Sequence, residues 1–424
     1  MSYFEKFLPD KNYLKNFTTL ISGAVVGQII TFLLAPILAR LYSPNEFGIF
    51  ASYSATVAIL SIICCARYDL AILLPKKIKE SLAVVKICLL ISLLISIISF
   101  FVIFFLWFTV DLNEYKFLVF IPLVIVVTSL NISLIYFHDK LLNFKLNSIA
   151  RASQAMFTGG AAILFFYISN TNGLIFGAIF GQLICTFLLI FYLPSQHIRG
   201  LFFDYNFKKL KIIAFKYIDL PKHSLAPSFL NVFSSQSINY FLIIVFGTVV
   251  TGNYYMSSKI VLLPASLISV SFTEIFYQKI TERSNNLKKI FPFVLNNALY
   301  LLIAALLLFF TFYFFGYNLF ILIFGKEWIQ AAELISILSF NMLIRTIVSP
   351  LTIVFTALDR IKLGAIWQYL YFFTFNLLIF FLYYFEIEFI ITLKILVFYD
   401  LVIYSIALIQ ILIISKQFDK KYEN

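Results

Sequence analysis

The sequence predicts an all-α integral membrane protein of about twelve transmembrane helices, and three observations carry that reading. First, 62% of the 424 residues are apolar and only 12% are charged, with a mean hydropathy of +0.97. A soluble chain carries about 25% charged residues, and a water-soluble core stops growing near roughly 250–300 residues. This apolar excess therefore has no soluble core to fill. Second, the apolar residues arrive in unbroken runs, too long for the about 9–11 alternating residues of a barrel strand. Third, the basic residues fall on alternate connections between those runs.

A span needs about 20 residues to cross roughly 30 Å of hydrocarbon at about 1.5 Å per residue. Runs of that length lie at about 17–41, 46–66, 82–109, 117–137, 147–169 and 172–193. Six more lie at about 223–247, 251–275, 290–315, 331–357, 362–385 and 388–415. Before the first comes MSYFEKFLPDKNYLKN, which lacks a short apolar stretch with a small-residue cleavage site and so reads as a retained tail. The connections are too short for a soluble domain.

With the N-terminus inside, inner segments hold twenty-four lysines and arginines, and outer segments hold only Arg40, Lys116 and Lys326. That split sets the orientation and places both termini in the cytoplasm. The longest connection, 194–222, is basic and separates an N-terminal lobe (1–193, spans 1–6) from a C-terminal lobe (223–424, spans 7–12). Six is even, so the halves insert the same way up, as parallel repeats do. A short internal echo fits this: LYSPNEFGIF (41–50) and FGTVVTGNYYM (246–256) each place a small polar turn and a glycine, Gly48 or Gly252, near an aromatic residue.

Several function classes drop out. The charge of +12 lies in short loops, not on a soluble basic surface that would bind nucleic acid. Cys64, Cys65, Cys88 and Cys185 lie in apolar runs without a C-x-x-C pair and read as small apolar residues. His138, His197 and His223 form no H-E-x-x-H, and no glycine run makes a phosphate-cradling loop, which argues against an ATP-driven pump. Gly173, Gly177 and Gly181 make a G-x-x-x-G-x-x-x-G stripe that reads as close helix packing. Pro36, Pro227, Pro264 and Pro350 lie within spans, as static kinks or as hinges.

Polar residues inside spans are the candidate functional groups. Span 1 carries Ser22, Gln28 and Thr31, and span 7 carries Asn231, Ser234, Ser235, Gln236, Ser237 and Asn239. Such runs face another helix or a watery cavity, and hydroxyls and amides suit a sugar. Each ionisable residue deep in a span costs about 3 kcal/mol or more. Arg345, Lys394, Asp400 and Lys259 lie within spans, and Arg67 and Asp69 close span 2. Arg40, Lys86 and Glu274 read as snorkelling to an interface. Lys394 and Asp400 are six apart and on different faces, so Asp400 is expected to neutralise a cation on a neighbouring helix. The positive excess points to an anionic cargo such as a phosphate or pyrophosphate.

Several stretches resemble a known family: FLLAPILARLYSPNEFGIFASYS (32–54), RYDLAILLPKK (67–77), GLIFGAIFGQLICTFLL (173–189), SSQSINYFLIIVFGTVVTGNYYMSSKIVLLPASLI (234–268) and FGKEW (324–328). They are similar, in order, to the polysaccharide-export O-unit (O-antigen) flippases of the multidrug/oligosaccharidyl-lipid/polysaccharide (MOP) exporter superfamily. The resemblance implies two six-helix lobes around a central cavity. It also implies a multi-pass protein of the bacterial inner membrane that moves undecaprenyl-pyrophosphate-linked oligosaccharide from the cytoplasmic to the periplasmic leaflet. Alternating access coupled to H+ or Na+ drives this in the family, with no other cofactor, catalytic residue or metal. Carried onto this sequence, Lys259, Arg345, Arg67 and Lys394 would meet the pyrophosphate. Gln28, Asn231, Gln236 and Asn239 would meet the glycan, and Asp69 or Asp400 would couple the ion. Implied partners are the lipid-linked oligosaccharide, membrane lipid, and polymerase and chain-length proteins of polysaccharide biosynthesis. A drug or cation antiporter of the same superfamily would need an acidic cavity. A membrane glycan polymerase or acyltransferase would need a large outer loop or a deep histidine, and Glu386 and Glu388 alone supply neither.

Overall fold

The computed structural model describes the backbone over residues 11–109, 113–168, 172–202, 206–286 and 288–423. Side chains are described from Val25 onward, outside 110–116, 169–171, 202–205, 270, 271, 274, 287, 361 and 421–424. Ser22 and Glu274 fall outside the described side chains. Every regular element among the described residues is helical: α1 (Lys11–Leu41), α2 (Pro44–Ile63), α3 (Ile78–Thr109), α4 (Ile121–Lys140), α5 (Phe144–Ile168), α6 (Gly173–Phe191), α7 (Ser195–Phe202) and α8 (Phe207–Lys216). The chain continues with α9 (Asp219–Asn285), α10 (Phe291–Phe310), α11 (Gly316–Phe324), α12 (Ile329–Leu351), α13 (Val354–Ala357), α14 (Ile361–Tyr384) and α15 (Phe389–Glu423).

Ten described helical stretches are long and apolar enough to cross a membrane, and the described apolar part of α1, Val25–Leu41, is a shorter one. One of the ten, Asp219–Ser269, has 51 residues, more than twice what a crossing needs. It holds both expected spans 7 and 8, because Gly247 at φ 83°, ψ 177° interrupts the helical path. Only glycine takes that conformation without strain. The expected outer loop here is thus a single residue. Span 9 runs further than expected: α10 passes through a π-helical turn, Thr311–Phe315, into α11. The basic connection after α6 is not irregular but contains α7 and α8, the latter capped by Asn206, whose side chain accepts from Lys209 N at 3.1 Å. Asp419 on α15 accepts from the amides of Ile290 and Phe291 at 2.7 and 2.9 Å, capping the start of α10.

The described chain forms two compact units. The first comprises residues up to Tyr42 with Ile49–Val232, and the second comprises Ser43–Gly48 with Phe233–Asn424. In the first unit the core gathers Ile72, Phe137, Leu134, Ile175 and Leu189, and it includes Leu201 and Leu210 from α7 and α8. The glycine stripe of α6 lies against α5: an added Cβ at Gly177 would stand 2.6 Å from Thr158 O, and one at Gly181 would stand 2.1 Å from Thr158 Oγ1. Outward-facing Phe101, Phe105 and Phe108 of α3 are exposed, as a lipid-facing surface requires.

In the second unit one core cluster joins Phe276, Ile290, Val294, Val348 and Ile411, and another joins Phe241, Leu242, Tyr371 and Leu396. The two echo segments pack on each other here. A Cβ at Gly48 would fall 1.9 Å from Thr248 O, and one at Gly252 would fall 1.8 Å from Pro44 O. Thr248 also donates to Asn45 Oδ1, and the Phe47 ring meets buried Trp328 edge-on at 5.1 Å.

Candidate functional site

A cavity of about 340 Å³ opens within the second unit, lined by α9, α12, α14 and α15. Helical spacing brings its walls together. On α9, Ser235 and Asn239 stand four apart before the Gly247 break, and Tyr255 and Lys259 stand four apart after it. On α12, Leu338, Asn341 and Arg345 share one face, while α14 adds Tyr371 and Phe375 and α15 adds Leu393, Leu396, Val397 and Asp400.

Asp400 is the hub of the polar network, and its side chain is only 5% exposed. Its Oδ2 accepts from Arg345 Nη2 at 2.8 Å and from Asn341 Nδ2 at 2.7 Å. Its Oδ1 accepts from the Tyr371 hydroxyl at 3.0 Å. The Arg345 guanidinium also lies 5.2 Å from the Tyr404 ring centroid, a favourable cation–π distance. Arg345 Nε and Asn341 Oδ1 are buried without a hydrogen-bond partner among the described residues. Lys259 Nζ sits 5.4 Å from the Tyr255 ring centroid, and no described carboxylate pairs with it. Asn239 Nδ2 donates to Gln236 Oε1 at 3.1 Å. The lining thus combines a mutually neutralised Arg345–Asp400 pair, one uncompensated ammonium, and amides and hydroxyls between aromatic rings. An ammonium suits a phosphate oxygen, and rings with amides suit the faces and hydroxyls of a sugar.

Of the candidate residues, the cavity gathers Lys259, Arg345, Asp400, Gln236 and Asn239. Lys394 does not join them: it is exposed and lines a separate depression with Tyr313, Ser336 and Phe340. Asn231 is exposed and belongs to the first unit. Gln28, on α1 in the first unit, has its Oε1 buried with no partner among the described residues. Asn341 and Tyr371 were not singled out from sequence. Asn341 stands one turn before Arg345 on the same face, a spacing that marks it; Tyr371 is one of 25 tyrosines, and its sequence position carries no signal.

Arg67 and Asp69 lie together in the first unit, beyond the end of α2. Ala66 and Arg67 take left-handed conformations, φ 45° and 63°, that turn the chain into a short 3-10 helix, Tyr68–Leu73. Arg67 Nη1 stands 3.8 Å from Asp69 Oδ2. Burial pushes the Asp69 carboxyl up to about 6, with the Arg67 charge pulling the other way. Beside them Cys65 Sγ contacts Ser129 Oγ at 3.2 Å, and all four cysteines are free and buried. His138 is buried and its Nε2 pairs with Leu189 O at 2.8 Å. No group of three possible metal ligands occurs among the described residues.

No curated protein sequence matches the chain. Among solved structures, an inward-facing multidrug resistance MATE family transporter of the MOP superfamily superposes with a TM-score of 0.65 at 13% identity, covering 94% of this chain and 99% of that one. A MATE in complex with MaL6 gives 0.63 at 12% identity, covering 96% of each chain. An outward-facing MATE family transporter gives 0.55 at 13% identity, covering 96% of this chain and 95% of that one. These likenesses establish the fold. Residues 37–333 match the polysaccharide biosynthesis protein family. The chain, with ten described helices long and apolar enough to cross a membrane, has the fold of these transporters and belongs to the polysaccharide biosynthesis protein family.

Proposed function

We propose that the protein moves undecaprenyl-pyrophosphate-linked oligosaccharide repeat units, of the O-antigen or related surface-glycan type, from the cytoplasmic to the periplasmic leaflet of a bacterial inner membrane. Both termini are then cytoplasmic, and polymerase and chain-length proteins act on the delivered unit. The observation that carries this reading is Lys259, an ammonium with no described carboxylate partner in a cavity otherwise lined by amides, hydroxyls and rings. Lys259 meets the pyrophosphate, and Gln236 and Asn239 meet the sugar. Alternating access is coupled at Asp400: H+ or Na+ arriving there loosens its hold on Arg345, whose guanidinium then becomes available to a phosphate oxygen. Release of the ion restores the pair and expels the anion. The rival antiporter reading needs a carboxylate free to hold a cationic drug, and the cavity's one described carboxylate already accepts from Arg345, Asn341 and Tyr371.

The test is a flipping assay with full-length protein in proteoliposomes and a fluorescent polyprenyl-pyrophosphate oligosaccharide. Lys259→Ala is expected to lower the rate at least tenfold with normal membrane insertion, and Lys259→Arg to retain much of it. Wild-type flipping by the alanine variant, or uptake of an organic cation in place of the lipid, overturns the assignment.

A further inference from the structure

Helix α8 reads FKKLKIIAFK and presents two unlike sides. Its inner side is fixed to the first unit. Leu210 is buried, Ala214 O accepts from the Tyr68 hydroxyl at 3.1 Å, and Lys216 pairs with Glu80. Glu80 lies in the first turn of α3, a membrane-crossing helix. These contacts hold α8, in the connection between α6 and α9, beside the first turn of α3.

The outer side is exposed. Phe207, Ile212 and Phe215 are 68%, 68% and 65% exposed, and Lys208, Lys209 and Lys211 are exposed beside them. Residues four apart share a face, so Phe207, Lys211 and Phe215 form one row and Lys208 and Ile212 the next. Large apolar groups and lysines therefore interleave across the exposed face. Protein interface cores are depleted of lysine, so this pattern does not fit a partner protein. It does fit a bilayer surface, where rings enter the headgroup–acyl boundary and lysine stems run past them to lipid phosphates. Glu80 occupies Lys216, while no described carboxylate pairs with the three outer lysines.

We infer that α8 is an interfacial anchor whose free face binds the bilayer surface and selects anionic phospholipid headgroups. The connection between the two halves of the sequence is thereby pinned to the lipid, and the composition of that leaflet governs how firmly.

Site-directed spin labelling of the full-length chain tests this. The four native cysteines are buried, so a nitroxide on Phe215→Cys reports the free face. The protein is reconstituted in phosphatidylcholine vesicles with or without about one-third phosphatidylglycerol. With phosphatidylglycerol, the label is expected to become accessible to oxygen and shielded from a water-soluble nickel chelate. Spin-labelled phosphatidylglycerol is expected to associate with the protein in preference to phosphatidylcholine. Replacing Lys208, Lys209 and Lys211 together by glutamine, on exposed positions that leave the core intact, is expected to cut that preference at least fivefold, the worth of about one lysine at an anionic surface. Three outcomes overturn the inference: a label open to the chelate in both lipids, a label shielded equally in detergent and in both lipids (cover by protein), or an undiminished lipid preference in the glutamine variant.

Discussion

Breaking the Arg345–Asp400 pair from one side at a time separates its electrostatic worth from its packing. The two charges meet at 2.8 Å, where their gross attraction is about 6 kcal/mol at an effective dielectric of about 20. Desolvation offsets much of that, yet removing one partner leaves the other buried charge stranded, typically at about 3–5 kcal/mol. The Arg345 side chain is 27% exposed and Asp400 only 5%. Asp400→Leu therefore strands a guanidinium that still reaches cavity water, and is expected to cost about 3 kcal/mol. Arg345→Met strands the deeper carboxylate and is expected to cost nearer about 4 kcal/mol. The double variant removes both charges, and a coupling of about 3 kcal/mol is expected to hold its cost to about 4 kcal/mol, well below the about 7 kcal/mol of simple addition. For a unit of this size each kcal/mol moves the midpoint by roughly 2–4 °C, so the single variants should unfold roughly 6–16 °C below wild type. Tryptophan fluorescence in micelles reads this directly, because Trp367 stacks on Tyr371 with centroids 5.7 Å apart. Single variants that each cost under about 1 kcal/mol, or a double variant whose cost is the simple sum, would refute the reasoning.

Gly252→Val is expected to abolish stable insertion, since its side chain would collide with Pro44 O and Gly48 N, backbone atoms that have nowhere to go; normal protein level in the membrane would count against the crossing. Asp419→Ala removes an acceptor from two amides at the start of α10, costing about 1–2 kcal/mol, and should speed hydrogen exchange there about tenfold; unchanged exchange would contradict the cap. Burial raises the Asp69 carboxyl from 3.8 to about 6, so between those values the folded chain holds a proton that the unfolded chain has released. Stability should accordingly rise as pH falls from about 6 toward about 4, and Asp69→Asn should flatten that part of the profile; an unaltered profile removes Asp69 from the account.

The spans were legible because the length of an apolar run maps directly onto bilayer thickness, a one-dimensional relation. The missing loop at Gly247 was not, because nothing in the sequence distinguishes this glycine's positive φ from the helical angles of glycines such as Gly177 and Gly181. Helices α7 and α8 were hidden for another reason: eight and ten residues are too short to show a period within a basic stretch. In the cavity, Lys259, Arg345 and Asp400 stood out because a charge in an apolar run is costly wherever it points. That cost gives no direction, which is why Lys394 looked the same in sequence yet lies on an exposed face. Asn341 and Tyr371 are neutral, and only three-dimensional convergence on Asp400 distinguishes them.

The hexapeptide Ser43–Gly48 belongs to the second unit although the rest of that unit begins at Phe233. A gene cut at the midpoint therefore does not yield two self-sufficient halves, because the C-terminal fragment would present an unfilled notch at Gly252. The same fact imposes a schedule on synthesis. At roughly 5–20 residues per second, the ribosome makes the hexapeptide roughly ten to forty seconds before Gly252 exists to receive it. The earliest part of the second unit is thus a piece held in waiting by the first.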